Sequence, residues 1–383
     1  MFLALRDLRR SKVRFGLLIV AVGLLIFLTL FLQTLFASLV NSFTGGLRNQ
    51  SGTVVVFGAD ARKNLSGSVI TPAQQAAIND VPSVQSYGPL GVGAFTVTPA
   101  GANPKPVDAF LFGYELTKPG APTTLTRGRL PQTANEAVVT ANVPGFGLGQ
   151  TVQIVPSSDA VDPLPITIVG EATDLRYSVQ TTLFVSYNTF IAARRTANPA
   201  AAQQPVFPAA IVVTPNPGIS PEQLARTITQ TVTGTDALSR AAAAAAQPGV
   251  ASVNQSFGLL ILLTVIVVVM VMAFFFLILT VQKQNAFTLL RAAGASKGYL
   301  RRAILIEVVV VLAGGLLCGF VLLALGVLVI NQIFPATVNP NAALGYGIFL
   351  CVLGFLGALF ALARIRKFRP ENAANAPALG GLA

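Results

Sequence analysis

The sequence predicts a membrane protein with four transmembrane helices and a large extracytoplasmic α+β domain between the first and second. Three observations carry this. Four apolar runs are each long enough to cross a bilayer. The 383-residue chain is 53% apolar and only 10% charged, against about 25% charged in soluble domains. Between the first two runs, from Asn41 to Gly249, the composition shifts to Pro, Thr, Gly and Asn with short β-rich stretches.

The chain opens with residues 1–14, which carry Arg6, Arg9, Arg10, Lys12 and Arg14. They read as a cytoplasmic amphipathic helix along the membrane surface. The first span, residues 15–40, holds no charge. A bilayer core needs roughly 20 apolar residues in a helix, whereas a signal peptide has an apolar region of about 7–15. The run is too long for a leader and reads as an uncleaved span.

The external domain, residues 41–249, shows strand candidates at Thr53–Phe57, Ala137–Thr140, Thr151–Val155, Ile166–Val169, Leu183–Val185 and Ala209–Thr214. Thr71-Pro72 and Ser220-Pro221 each place an N-cap hydroxyl before a proline at the first helical position. They open helices expected to reach Asp80 and Ile228. The Ala241–Ala246 run, a strong helix former, is expected to be a stalk feeding the second span. No catalytic constellation is visible in the domain, so a docking or lid module fits better than an enzyme.

Residues 257–281 form the second span, 303–330 the third and 344–363 the fourth. Residues 282–302 make the loop between spans two and three, and 364–383 a tail. Lys and Arg in short flanking segments set orientation. The N-terminal segment, that loop and the tail together hold fourteen bases and two acids; residues 41–256 hold twelve bases and eleven acids. Both termini and the loop are therefore expected in the cytoplasm of a bacterial cell (inner or plasma) membrane, with the long segment outside. The formal charge of +12 is accounted for by this topology and by lipid headgroups, without nucleic acid.

The chain has no histidine and no Gly-Lys pair. The first excludes most Ser–His and Cys–His catalysis and histidine-ligated metals. The second excludes a P-loop, so ATP would be bound by a separate polypeptide. Cys318 and Cys351 lie in apolar runs and read as small buried hydrophobes rather than a disulfide.

The loop Gln282-Lys283-Gln284-Asn285-Ala286-Phe287-Thr288-Leu289-Leu290-Arg291-Ala292-Ala293-Gly294-Ala295-Ser296 resembles the cytoplasmic motif of the MacB/FtsX class of ABC transporter permeases, whose core reads roughly LLRALGAS. Lys297, Arg301, Arg302 and Glu307 match its continuation. Gly128-Arg129-Leu130-Pro131, Asn135–Val139 and Leu148-Gly149-Gln150-Thr151-Val152 resemble the external core of the same family, with Gln150 where an acid is usual. Asn285-Ala286-Phe287 replaces the Arg-Glu-Ile of many MacB-type members. That variant is closer to the HrtB/DevC-like branch, which includes haem exporters.

The resemblance implies a four-span permease working as a homodimer with a cytoplasmic ABC ATPase. ATP-Mg would sit on the partner, and the chain itself would hold no cofactor. Phe287, Thr288, Leu289, Leu290, Arg291, Ala292, Ala293, Gly294, Ala295 and Ser296 would form the coupling helix that meets the ATPase. Read on its residues alone, Phe287–Ala293 is a short amphipathic surface helix ended by Gly294. The resemblance implies efflux of a hydrophobic or amphipathic substrate, haem first. It equally allows FtsX-like mechanotransmission, in which ATPase motion activates an external enzyme and nothing is transported.

Candidate substrate-binding residues are the polar or soft groups inside the spans: Gln33, Met270, Met272 and Glu307. Met and Glu could hold haem without histidine, although a methionine in an apolar span is usually packing. Glu307 is the sole acid in a span; ion-pair anchor, substrate ligand and coupling residue all remain open to it. Gly315, Gly319, Gly354 and Gly357 give spans three and four small faces for close helix packing, and a dimer seam is the other reading.

Overall fold

The computed structural model describes residues 12–101, 104–158, 161–201, 203–282, 297–330 and 339–365. Its described residues divide into a helical unit and an external unit.

In the helical unit, four helices are long and apolar enough to cross a membrane. They are α1 (Lys12–Arg48), α6 (Val250–Gln282), α7 (Lys297–Ile330) and α8 (Pro340–Ile365). At 1.5 Å per residue α1 is about 55 Å long, well beyond a hydrocarbon core of about 30 Å. It outruns the expected 15–40 span because polar residues from Asn41 onward continue the helix once it has left lipid. The residues expected as the coupling helix lie outside the described residues, as do residues 1–11 of the expected surface helix.

Each spanning helix buries a stripe at three- and four-residue spacing. Val22, Ile26 and Leu30 do so on α1; Val268, Met272, Phe276 and Leu279 on α6; Val308, Val311 and Leu312 on α7; Leu350 and Ala358 on α8. The opposite faces, such as Leu262, Leu263 and Ile266 on α6 or Leu317, Val321 and Leu325 on α7, are exposed and apolar. That pattern is a fold solvated by lipid, in which outside and inside are equally greasy.

The external unit is one mixed sheet with helices. Its strands are β1 (Val54–Gly58), β2 (Val84–Thr98), β3 (Val107–Tyr114), β4 (Leu125–Gly128), β5 (Glu136–Thr140), β6 (Thr151–Ile154), β7 (Leu164–Ala172), β8 (Thr181–Ser186), β9 (Ala210–Pro215) and β10 (Thr235–Ser239). Its helices are α2 (Pro72–Asn79), α3 (Tyr187–Ala197), α4 (Pro221–Thr231) and α5 (Arg240–Ala245). The order is β10-β1-β9-β2-β3-β8-β5-β7-β4, and β6 pairs both β7 and β2. Those pairings close a circuit β2-β3-β8-β5-β7-β6, a small barrel from which β9, β1 and β10 extend as an open wing.

Period-two alternation sorts the side chains. Val55, Phe57, Leu90, Phe110, Phe112, Phe184 and Val212 share one continuous face. On the other face Val97, Leu111, Val139, Val152 and Ile168 fill the barrel. On the wing, Val54, Val56, Ile211 and Val213 pack under α2 and α4 through Ile78, Leu224 and Ile228. Both of these helices start with a full capping box and a proline in the first turn. Thr71 Oγ1 accepts from Gln74 N–H and Ser220 Oγ from Gln223 N–H.

One expectation is corrected, and two strands are added. Arg240–Ala245 is a helix, but Ala243 and Ala244 are buried in the sheet core, so it is not a stalk. Alanine's small side chain suits close approach to the sheet as well as it suits an isolated helix. The long strand β2 and its partner β3 were not expected, because Gly88, Pro89, Gly91 and Gly93 interrupt the β-rich pattern. Gly91 and Gly113 are required there: a Cβ on either would stand 2.5 or 2.3 Å from the Phe190 side chain of α3.

Candidate functional site

The bundle is the candidate site, since the polar residues singled out from the sequence lie in it. Glu307 on α7 is buried, 6% exposed. It borders a cavity of about 10 Å³ with Ile304 and Val308 of its own helix and Phe276, Leu279 and Thr280 of α6. That is room for one water at most. Thr280 donates to the Phe276 carbonyl one turn back at 2.7 Å.

Met272 is fully buried two turns away from Thr280 on α6. Its sulfur fills the notch left by Gly354 of α8: a Cβ there would stand 2.5 Å from Met272 Sδ and 3.2 Å from Leu312 Cδ2. Met270 is 53% exposed, on the outer surface of the same helix. Gln33 is half-buried on α1. The structure thus divides the four candidates between core and surface instead of converging them on one ligand.

The glycines have defined neighbours. A Cβ at Gly315 would stand 2.5 Å from Val22 Cγ1, one at Gly319 2.9 Å from Ile26 Cγ2, and one at Gly23 2.7 Å from Cys318 Cβ. Helices α1 and α7 therefore meet glycine to glycine within one copy. Gly23, not singled out from the sequence, supplies the α1 half. Its signal was a small residue in a bulky apolar run. Gly357 lies at ordinary contact distance from Ala273 of α6. Phe36 of α1 stacks on Phe257 of α6, ring centres 5.4 Å apart.

In the external unit, the family-like segments are scaffolding. Arg129 donates to both oxygens of Glu136 at 2.6 and 2.8 Å. Glu136 Oε2 also accepts from the N–H groups of Gln132 and Thr133. These bonds, Arg129's foremost, hold the carboxyl well below the usual carboxylate range. Gln150 Oε1 accepts from Gly147 N–H at 2.7 Å, so an acceptor oxygen stands at this turn although the residue is an amide.

Two further features were not legible in the sequence. Gln247, 3% exposed, accepts from the Tyr177 hydroxyl at 2.8 Å and donates to the carbonyls of Lys63 and Ala243. The loop Asp174–Gln180 grips the outer end of α1. Gly46 N–H donates to the Arg176 carbonyl, and the N–H groups of Ser178 and Val179 donate to the carbonyls of Phe43 and Ser42. Asp174, Ser178 and Val179 adopt positive φ to do so, a conformation unusual for valine above all.

Comparison with known families matches residues 16–231 to the MacB-like periplasmic core domain and residues 258–370 to the FtsX-like permease C-terminal region. Comparison with curated proteins returns no match. Among solved structures, the periplasmic region of MacB from Actinobacillus actinomycetemcomitans is similar at 14% identity and a TM-score of 0.36, covering 51% of this chain and 92% of that one. The extracellular domain of the noncanonic ABC-type transporter YknZ from Gram-positive bacteria is similar at 13% identity and a TM-score of 0.32, covering 49% of this chain and 99% of that one.

Proposed function

Since the chain belongs to the MacB/FtsX class of ABC transporter permeases, we propose that it is the transmembrane subunit of an ATP-driven exporter for a hydrophobic or amphipathic substrate. Haem is the first candidate, on the likeness of residues 282–287 to the HrtB/DevC-like branch. Permeases of this class sit in the membrane and work with a cytoplasmic ABC ATPase. The coupling surface assigned here is Phe287–Ser296, with both termini on the same cytoplasmic side.

One observation carries the export reading toward a homodimer. Glycine contacts close the α1–α7 seam, and the described part of the bundle is packed tightly around Met272. The cavity at Glu307 is too small for any solute larger than water. In this reading a substrate passes along the exposed apolar faces or between two copies rather than through the cavity at Glu307. Met272 and the four glycines act as packing in this reading, and Gln33, Met270 and Glu307 remain the groups from which a substrate contact would be drawn.

The hydrogen bonds between the 174–180 loop and residues 42–46, all within the external unit, motivate the second reading, FtsX-like mechanotransmission, in which movement reaches the external domain without any substrate. Co-reconstitution with the ATPase partner separates the two. Export predicts ATP turnover that rises with one class among haem, amphipathic peptides and lipids, and uptake of that class into inverted vesicles. Unchanged turnover with haem, together with no haem absorbance on the purified protein, refutes haem as substrate. Leu290→Asp and Arg291→Glu are expected to abolish stimulated turnover; undiminished co-purification and turnover would refute the coupling assignment.

A further inference from the structure

An open cavity lies in the external unit. It holds about 280 Å³, near the low end of small-molecule sites, which run from about 300 to 1,000 Å³. Three pieces of chain enclose it: the last turn of α3 (Tyr187–Ala197), the segment leading into β9 (Ala210–Pro215), and the turn from Ser66 to Val69. Phe190 and Val92 pack at its floor, and Ser66, Ser68, Asn198 and Gln204 also line it. Phe190 and Val92 are 1% and 5% exposed, and the Phe190 ring is set edge-on against Phe95.

The walls are unusual for a soluble surface. Val69 is 54% exposed and Phe207 38%, and both line the same opening. At the rim stand Arg194 and Arg195, both exposed. Neither makes an ion pair among the described residues, and no acidic side chain lines the cavity. Bases in the last turn of a helix are favourable to its dipole, which accounts for a positive charge at this place. It does not account for two exposed apolar side chains facing the same hollow.

We propose that this cavity binds a small amphipathic anion: an apolar body against Phe190, Val92, Phe207 and Val69, and a single anionic head on Arg194 and Arg195. Guanidinium groups present paired donors that match carboxylate and phosphate geometry. The site stands on the external unit alone and does not depend on what the bundle transports.

The test uses the full chain in nanodiscs, with equilibrium dialysis of radiolabelled octanoate, octyl phosphate and neutral octanol, and with empty nanodiscs subtracted. The expected result is binding of at least one anion that is tighter than octanol by about ten-fold or more, the size of one charge-assisted hydrogen bond. Whichever anion binds more tightly identifies the head group as carboxylate or phosphate. Arg194→Gln with Arg195→Gln should remove that preference, and Val69→Asp should remove binding of the apolar body. All three positions are exposed, so the variants are expected to fold, which thermal unfolding at the wild-type midpoint would verify. Equal binding of octanol and the anions, or anion binding that survives the double arginine variant, overturns the proposal.

Discussion

Gly315→Ala tests the α1–α7 seam directly. The added carbon would stand 2.5 Å from Val22 Cγ1 and 3.0 Å from Val22 Cβ. Apolar carbons rest at about 3.5–4.0 Å, so Val22 or the two helices must give by about 1 Å. Val22 is fully buried and β-branched, and its side chain has little freedom to turn away. Gly258→Ala on α6 is the matched control, because nothing lies within 4 Å of its would-be Cβ. Both substitutions gain helix propensity, about 1 kcal/mol, so the difference between them isolates overpacking, about 1–3 kcal/mol. Cys318 and Cys351 are the two cysteines of the chain, both free and half-buried in the bundle. A thiol-reactive fluorogenic dye therefore reports opening of the bundle on heating. Gly315→Ala should release fluorescence several degrees below Gly258→Ala. If the two variants melt together, α1 and α7 do not meet at Gly315.

Three further outcomes are expected. Gly45→Ala would place a Cβ 2.3 Å from the Asp174 carbonyl oxygen, a backbone atom that cannot swing aside. It should destabilise the external unit by about 2 kcal/mol or more and expose the 174–180 loop to limited proteolysis; wild-type protection would count against the grip on α1. Gln247→Leu strands the buried Tyr177 hydroxyl and the amide's other partners, at a cost of about 1–3 kcal/mol, readable as a lower unfolding midpoint by circular dichroism. Glu136→Gln tests a pH dependence. Arg129 holds the Glu136 carboxyl below its unfolded-state pKa, so the pair stabilises above the ordinary carboxylate pKa of about 4.3 and that stability fades as pH falls further. The variant should melt lower than wild type at neutral pH, and the gap should close on acidification; a gap that widens in acid would reverse the sign.

The legible part of this protein is the part governed by local rules. Apolar run length marked four spans because lipid admits no unsatisfied backbone and hence only long helices here. The Thr71-Pro72 and Ser220-Pro221 starts were readable because a capping box is completed within three residues. Tertiary structure decided what depends on distant partners. Residues 88–93 look like a broken strand until Phe190 occupies the space that Gly91 leaves. Gln247 looks like part of a chain break until Tyr177, seventy residues away, donates to it. Met270 and Met272, two residues apart on one helix, are indistinguishable by type, and only packing against Gly354 puts one in the core and leaves the other on the surface. The family, the order of its spans and the absence of a P-loop belong to the sequence by itself. That Met272 closes against Gly354, and that a cationic hollow lies in the external unit, follows from which side chains the fold presses together.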